Sequence, residues 1–152
     1  IFIAIQLAYK GWAFLIGTKP QQLCFIYVTD LARLMCAALE YGTVGKKYLA
    51  SDGKAYANTD VGLAVEKVSG RPTRQIKVPL SLVRIVATCA EMAGRLSGKM
   101  PPLNREKISE LAAESWLCDM SEAFDDLRFQ PAYDLFSGMR ETVQWYKINR
   151  WL

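Results

Sequence analysis

Hydrophobic positions along this chain alternate between helical and extended spacing. The helical interval of three and four residues is clearest after position 30, where one apolar stripe runs Leu31, Leu34, Met35, Ala38, Leu39. Just before it, the aromatic and β-branched run 23–28 predicts a buried strand. Thr29 or Asp30 is expected to cap the helix, because their side-chain oxygens can accept the free N–H groups of its first turn.

The remaining pattern predicts helices and strands in irregular alternation. Helices are expected over 1–10, 59–70, 79–96, 105–112, from Ser121, and over 134–147. Strands are expected over 12–16, 47–50, 74–78 and 116–118, with turns at 17–20 and 52–53 and a loop at 98–102. No repeat, low-complexity tract or linker interrupts the chain. Residues 1–152 are therefore predicted to form one α+β domain with a small mixed sheet and several helices.

Composition places the chain among folded proteins. Its 152 residues are 51% apolar and 22% charged, which is enough apolar surface for a packed core. The first apolar stretch is interrupted by Gln6, Lys10 and Gly11, so it is too short for a membrane span, and it lacks a signal-peptide pattern. We expect no membrane partner and a cytoplasmic location. An uncapped apolar helix at residue 1 is expected where a longer chain continues upstream.

Charge is modest overall but unevenly distributed. The net charge of +4, without a Lys/Arg run, does not favour nucleic acid as a partner. Residues 71–107 carry eight basic side chains, whereas residues 108–134 carry seven acidic ones. This asymmetry fits either a basic wall facing an anionic substrate or two solvated faces that attract each other.

Several kinds of catalytic and metal site are excluded by composition. The chain has no histidine, which removes Ser-His-Asp and Cys-His catalytic sets. Its four cysteines (Cys24, Cys36, Cys89, Cys118) are widely spaced without a C-x-x-C motif, so no metal site is predicted. Two disulfides are possible, but reduced cysteines in the core are the favoured interpretation.

The order of short motifs resembles the extended short-chain dehydrogenases/reductases. The segment 25–32, Phe-Ile-Tyr-Val-Thr-Asp-Leu-Ala, is similar to the F-[IV]-[YH]-V-x-D-[LV] motif of NAD-dependent epimerases/dehydratases and 3β-hydroxysteroid-dehydrogenase-like proteins. Segments 45–50 and 58–60 resemble the glycine, strand and T-x-x-[ED] landmarks that follow, and Val78-Pro79 matches the V-P before a long helix.

The end of the chain continues the resemblance. Segments 119–123 and 127–131 are similar to the family's D-x-S-K-A-x-x-x-L-G-[FYW]-x-P, and 138–146 to its closing G-[LM]-x-E-T-x-x-W-Y. Glu122 replaces the family lysine, and Arg128 replaces the family glycine. Glycine there usually serves a positive φ at a helix end, so either Arg128 is strained or the turn differs. Most matched positions have fold-holding roles.

The resemblance implies a division of labour between two halves of a longer protein. Family members bind NAD or NADP on an N-terminal Rossmann half and use a Tyr-x-x-x-Lys pair there. Neither that pair nor a glycine-rich fingerprint occurs in this sequence. The chain is therefore expected to be the C-terminal, substrate-binding part of an NAD(P)-dependent epimerase/dehydratase or reductase. It should have no catalytic or cofactor-binding residues of its own, and the missing Rossmann domain would be its partner.

The substrate side of the resemblance implies four residues. The position that often holds a phosphate-binding arginine is Leu23 here, which favours a less polar small-molecule substrate. Leu23, Phe25, Arg105 and Lys107 are the predicted substrate-site residues, with core packing or a solvated helix face as the structural alternative. A stand-alone binding module of the same fold is the alternative function. Homo-oligomerisation is possible, since an uncovered docking face would favour association.

Overall fold

The computed structural model describes residues 1–17, 21–97, 108 and 113–152. The predicted loop 98–102, nearly all of the predicted helix 105–112, and most of the turn at 17–20 lie outside these residues. The helices are α1 (Phe2–Tyr9), α2 (Val28–Tyr41), α3 (Asp60–Ser69), α4 (Leu80–Ser97), α5 (Ser121–Asp126) and α6 (Leu135–Ile148). The strands are β1 (Trp12–Ile16), β2 (Gln22–Leu23), β3 (Tyr56–Ala57), β4 (Arg74–Val78) and β5 (Ser115–Trp116).

Two small sheets lie among these helices. Strands β1 and β4 pair in parallel, with Phe14 opposite Ile76. In the second sheet β2 lies between β3 and β5, antiparallel to β3 and parallel to β5. The predicted class is confirmed, because a small mixed sheet and several helices are both present.

Helix packing forms the largest core. Helix α3 packs against α1 and α6, and the fully buried Ala64, Val65 and Val143 lie in this contact. A second cluster joins α2 to α5 through Leu34, Ala123 and Leu127, and a third surrounds Val83 on α4. Each of α3, α5 and α6 thus buries apolar residues at helical spacing. No described helix has the length and apolar content that a membrane crossing requires.

The two predicted strands at 23–28 and 47–50 are largely wrong. Pairing at the first is confined to Gln22–Leu23, because the ladders of β3 and β5 end opposite Leu23. Beyond it one backbone bond, from Asp52 N–H to the Phe25 carbonyl at 2.7 Å, continues the contact. Residues 47–50 alternate in exposure but form no ladder. Tyr48 secures them instead by donating to Asp126 at 3.0 Å.

The predicted cap of α2 is also wrong, and the first residues of the next two predicted helix starts, Thr59 and Ser121, do not cap α3 and α5. Helix α2 begins at Val28, two or three residues earlier than a cap at Thr29 or Asp30 predicts, and neither residue caps it. At α3 the N-cap residue is Thr59, but its side chain makes no capping bond. At α5 the acceptor is Asp119, which takes the N–H of Ser121 at 2.9 Å. The starts of α3 and α5 lie within about one residue of the predicted positions, whereas α2 starts earlier. Only at α5 of the three does a neighbouring side chain supply a hydrogen bond to the helix start.

The apolar stripe of α2 is only partly covered. Leu34 is buried, whereas Met35 and Leu39 are 62% and 91% exposed. Together with Val28 and Ala32, both exposed, they form an apolar row at intervals of three and four residues. We call the row Val28, Ala32, Met35 and Leu39 the α2 stripe. The expectation that all the apolar positions of this helix face the core is therefore corrected for Met35 and Leu39.

The expectation of core cysteines is likewise corrected for two of the four. Cys36 and Cys89 are exposed on α2 and α4. Cys24 and Cys118 are half-buried, and all four are free thiols. Periodicity could not separate these cases, since α2 and α4 each carry apolar residues on an uncovered face.

Arg128 keeps the turn that glycine makes in the resembling family. Its φ is +49°, in the left-handed region that favours glycine. Arg128 therefore makes this turn with a strained backbone. The central carbon of its guanidinium lies 5.5 Å from the centroid of the Tyr41 ring. That cation–π contact offsets part of the backbone cost.

Glycine and alanine in place of Arg128 are therefore expected to differ in stability. Both Arg128→Gly and Arg128→Ala lose the contact with Tyr41, but only glycine relieves the left-handed strain. We expect the glycine variant to be more stable than the alanine variant by about 1 kcal/mol in the free energy of unfolding. Urea unfolding of the pair measures this difference. An alanine variant as stable as the glycine variant would show that the turn is unstrained.

Candidate functional site

An open apolar cavity of about 770 Å³ lies among the described residues. One wall is the segment 25–28 that leads into α2. A second is the face of α6 carrying Gly138, Glu141, Thr142 and Trp145, which recur at helical intervals. The start of α1 and Trp151 close the other sides. The cavity thus lies where three distant parts of the chain meet.

The floor of the cavity is set by a buried hydrogen-bonded group. The Tyr56 hydroxyl donates a short hydrogen bond to the Asp52 carboxylate and accepts the N–H of Leu135 at 3.2 Å. Both Tyr56 and Asp52 are buried. Burial, and next the bond to Asp52, raise the pKa of Tyr56 well above its usual range. The phenol therefore stays protonated and joins β3 to the start of α6.

Asp134 is also committed to the fold. It caps α6 by accepting the N–H of Ser137 at 2.9 Å, while the Ser137 hydroxyl accepts the N–H of Asp134. The Ser137 N–H, more than the nearby Lys54 ammonium, lowers the pKa of Asp134. An ionised carboxylate that already accepts hydrogen bonds in this way stabilises the start of the helix and is poorly placed to take up a proton.

Tyr27 and Tyr133 form an aromatic pair at the cavity wall. Their ring centroids are 4.5 Å apart. Tyr27 lies directly over Gly138, where a Cβ would come within 3.0 Å of Tyr27 Cδ2, so the helix approaches the ring this closely only with glycine at 138. Burial, followed by the negative charge of Glu141, raises the pKa of Tyr27.

Asp30 holds the backbone of Tyr133 in place through hydrogen bonds. Its carboxylate is fully buried and accepts the N–H groups of Ala132 and Tyr133 at 2.9 and 2.8 Å. Its other oxygen accepts from Arg33 at 2.7 Å. The acidic residue of the family-like motif thus connects α2 to the segment that precedes α6, which is a positioning role.

The carboxylates that line the cavity differ in how they are held. Two of its three carboxylates, Asp52 and Asp134, are held by the fold. The third, Glu141, is exposed and has no ion-pair partner among the described residues. No metal-binding cluster of three ligands occurs among the residues that the structure describes. A broad apolar wall with one unpaired carboxylate can contact another apolar surface that offers a donor.

The predicted site residues fall in different places. Phe25 lines the cavity, with its ring 6.0 Å from that of Tyr56. Leu23, two residues earlier in β2, is half-buried beside Tyr56 and Trp116 and does not line it. Arg105 and Lys107 lie outside the described residues. Of the basic segment 71–107, no described basic side chain reaches the cavity.

Most of the cavity-lining residues were not predicted from the sequence. Tyr27, Asp52 and Tyr133 stand in segments that read as fold-holding. The one signal available was on α6, where Gly138, Glu141 and Trp145 share a face and belong to the closing family-like motif. That face was assigned no role, because the apolar face through Met139 and Val143 already explained the helix.

Comparison with known proteins gives one curated relative with partial coverage. No family model matches the chain. The uncharacterized protein YbjS of Escherichia coli (strain K12) is 33% identical over 70 residues, which are 46% of this chain and 20% of that protein. This similarity covers too little of either protein to establish a family.

Solved structures resemble nearly the whole chain in fold. The dTDP-glucose 4,6-dehydratase of Bacillus anthracis, in complex with NAD, matches 97% of this chain and 38% of its own length, with a TM-score of 0.66 and 17% identity. The UDP-glucose 4-epimerase of Thermotoga maritima, with UDP-glucose, matches 97% and 39%, with a TM-score of 0.68 and 14% identity. This chain therefore has the α+β fold that forms the C-terminal portions of these Rossmann-type enzymes, and it spans under 40% of their length.

Proposed function

We propose that this chain is the substrate-binding part of an NAD(P)-dependent epimerase, dehydratase or reductase, and that it acts only when joined to a cofactor-binding Rossmann half. The single observation that carries the proposal is the uncovered apolar cavity between segment 25–28 and α6. The likeness to part of the length of two nucleotide-sugar enzymes supports the reaction class.

The uncovered surface has the character of an interface between two parts of one protein. The α2 stripe continues from the cavity through Val28, which is 67% exposed and lines it. Across the cavity Trp145 and Trp151 are both about half exposed. Large aromatic side chains at this exposure are typical of surfaces that become buried on association. We assign the missing Rossmann half as the occupant of this surface.

The substrate proposal rests on Leu23 and Phe25. Phe25 lines the cavity, and Leu23 lies outside it, two residues earlier in β2. Neither can pair with a phosphate, which favours a substrate less polar than a nucleotide sugar at this position. Arg105 and Lys107 remain the proposed contacts for an anionic group of the substrate.

Calorimetry with NAD and NADH tests the division of labour. We expect no micromolar binding to this chain alone, because it contributes no glycine-rich phosphate site. Expressed in frame with the coding sequence immediately upstream, the joined protein should bind NAD or NADP with a dissociation constant in the micromolar range. Micromolar binding by the chain alone, or an upstream sequence that lacks a glycine-rich βαβ unit, would refute the proposal.

The docking surface is tested by mixing the two halves as separate polypeptides. Met35→Ser combined with Leu39→Ser should weaken their association at least about tenfold, since each side chain would lose more than about 0.7 kcal/mol of apolar burial. Leu82→Ser combined with Ile85→Ser, on α4, is the matched control, because these residues are similarly exposed but lie away from the stripe. Equal weakening by both pairs would contradict the assigned surface.

A further inference from the structure

Two of the four thiols lie side by side although they are far apart in sequence. The Sγ atoms of Cys24 and Cys118 are 3.4 Å apart, across a separation of 94 residues. Cys24 also donates to the Trp116 carbonyl at 2.8 Å. Neither cysteine lines the cavity, so the pair is independent of the site described above.

The position of the pair follows from the second sheet. Strand β2 runs parallel to β5 with Leu23 opposite Trp116. Cys24 is the first residue beyond that ladder on one strand, and Cys118 the second beyond it on the other. The paired strands fix both backbones, so the sulfurs are held near each other by structure that exists without any covalent link.

The geometry is close to that of a disulfide. A disulfide bond is about 2.05 Å long, so the sulfurs need to approach by about 1.4 Å. Small changes of two side-chain torsions can supply such a movement. Both residues are half-buried, which leaves access for a small oxidant.

We propose that Cys24 and Cys118 form a reversible disulfide when the protein meets a peroxide, and that a thiol reductant returns them to the free pair. The cross-link fixes β2 to β5. It does not depend on the proposed function, because the two residues belong to the sheet and not to the cavity.

The reaction balances with one peroxide per disulfide. One thiol loses its proton, and the thiolate attacks an oxygen of hydrogen peroxide. The O–O bond breaks, a sulfenic acid forms, and the leaving hydroxide takes up the released proton to give one water. The second sulfur attacks the sulfenic sulfur, the S–S bond forms, and the oxygen leaves as a second water. The two thiols lose two electrons and two protons in total, and the peroxide is reduced to two waters.

The environment of Cys24 makes oxidation pH-dependent. Burial first, and then the Cys118 thiol and the Asp52 charge, raise the pKa of Cys24 to about 11. Since the thiolate is the nucleophile, the Cys24 thiol reacts slowly near neutral pH and faster as the pH rises. The pair should therefore persist as thiols until the oxidant is abundant.

A chain that keeps only this pair tests the inference. In the Cys36→Ser, Cys89→Ser background, hydrogen peroxide should lower the mass by two hydrogen atoms and give one Cys24–Cys118 linked peptide, reversed by dithiothreitol. The midpoint of thermal unfolding should rise by about 5–10 °C, because a long loop is closed in the unfolded chain. Oxidation should be faster at pH 9 than at pH 7.

The matched control adds Cys118→Ser and should abolish both the linked peptide and the thermal shift. Three outcomes overturn the inference: sulfinic acid at either cysteine without a link, linkage only between separate chains, or thiols that stay free at pH 9 in a large excess of hydrogen peroxide. A link without the thermal shift contradicts the claim that it fixes β2 to β5.

Discussion

Replacing Asp30 with alanine is expected to lower the free energy of unfolding by about 3 kcal/mol. The carboxylate is fully buried and accepts three hydrogen bonds, two from the N–H groups of Ala132 and Tyr133 and one from Arg33. Alanine offers no acceptor, and the segment before α6 loses its link to α2. Urea unfolding followed by far-ultraviolet circular dichroism measures the loss.

Two variants make the Asp30 result specific. Asp30→Asn keeps one acceptor oxygen for the backbone N–H groups but places an amide against Arg33, so an intermediate loss is expected. Asp125→Ala removes an exposed carboxylate on α5 and should change stability by less than about 0.5 kcal/mol. If Asp30→Ala and Asp125→Ala had equal effects, Asp30 would not hold the two segments together.

Replacing Tyr56 with phenylalanine is expected to cost about 2 kcal/mol. The ring is retained, so packing against Phe25 is preserved. The hydroxyl is lost, which leaves the buried Asp52 carboxylate without this donor and the Leu135 N–H without its acceptor. Unsatisfied buried groups retain the full cost of leaving water, which is why one oxygen atom matters this much.

Tyr48→Phe is the matched control for Tyr56→Phe. The Tyr48 hydroxyl also lies between a carboxylate, Asp126, and a backbone N–H, that of Thr43. It is half-buried, and water can replace its partners, so a loss below about 1 kcal/mol is expected. Equal losses for the two variants would show that burial of Tyr56 is not the cause.

Alkaline pH provides a second measurement on Tyr56. Its pKa is raised on folding above the usual value near 10, so the protonated phenol favours the folded state. This contribution is complete below pH 10 and is lost as the pH rises toward the higher folded pKa. The free energy of unfolding should thus fall above pH 10, and fall less steeply in Tyr56→Phe. Equal slopes in the two proteins would contradict the raised pKa.

Asp30 and Tyr56 affect the shape of the cavity without lining it. Asp30 sets the position of Tyr133, and Tyr56 sets the start of α6 relative to β3. The motif that carries Asp30 was interpreted as fold-holding. In the structure Asp30 holds the fold by accepting hydrogen bonds from the distant Ala132 and Tyr133, and not by capping the helix. We expect that a variant stable enough to purify would still dock poorly onto the Rossmann half proposed as its partner.

Local patterns predicted the elements well. Strands β1 and β4 begin and end where the sequence places them, since each is a five-residue run between turn residues. The end of α3 at Gly70 was also predicted, because the left-handed φ of +68° there suits glycine. These features depend on a few consecutive side chains, and such information is present in any short window of sequence.

The tertiary structure decided what those elements cover and what they leave bare. Periodicity gave α2 an apolar face, but only packing against α5 determined that Leu34 is buried while Met35 and Leu39 are exposed. The cavity joins residues 1–5, 25–28 and 138–151, and the thiol pair joins residues 94 apart. Composition and spacing determined an α+β domain without histidine chemistry. The sites needed the folded chain, because contacts between distant segments depend on packing that no local pattern records.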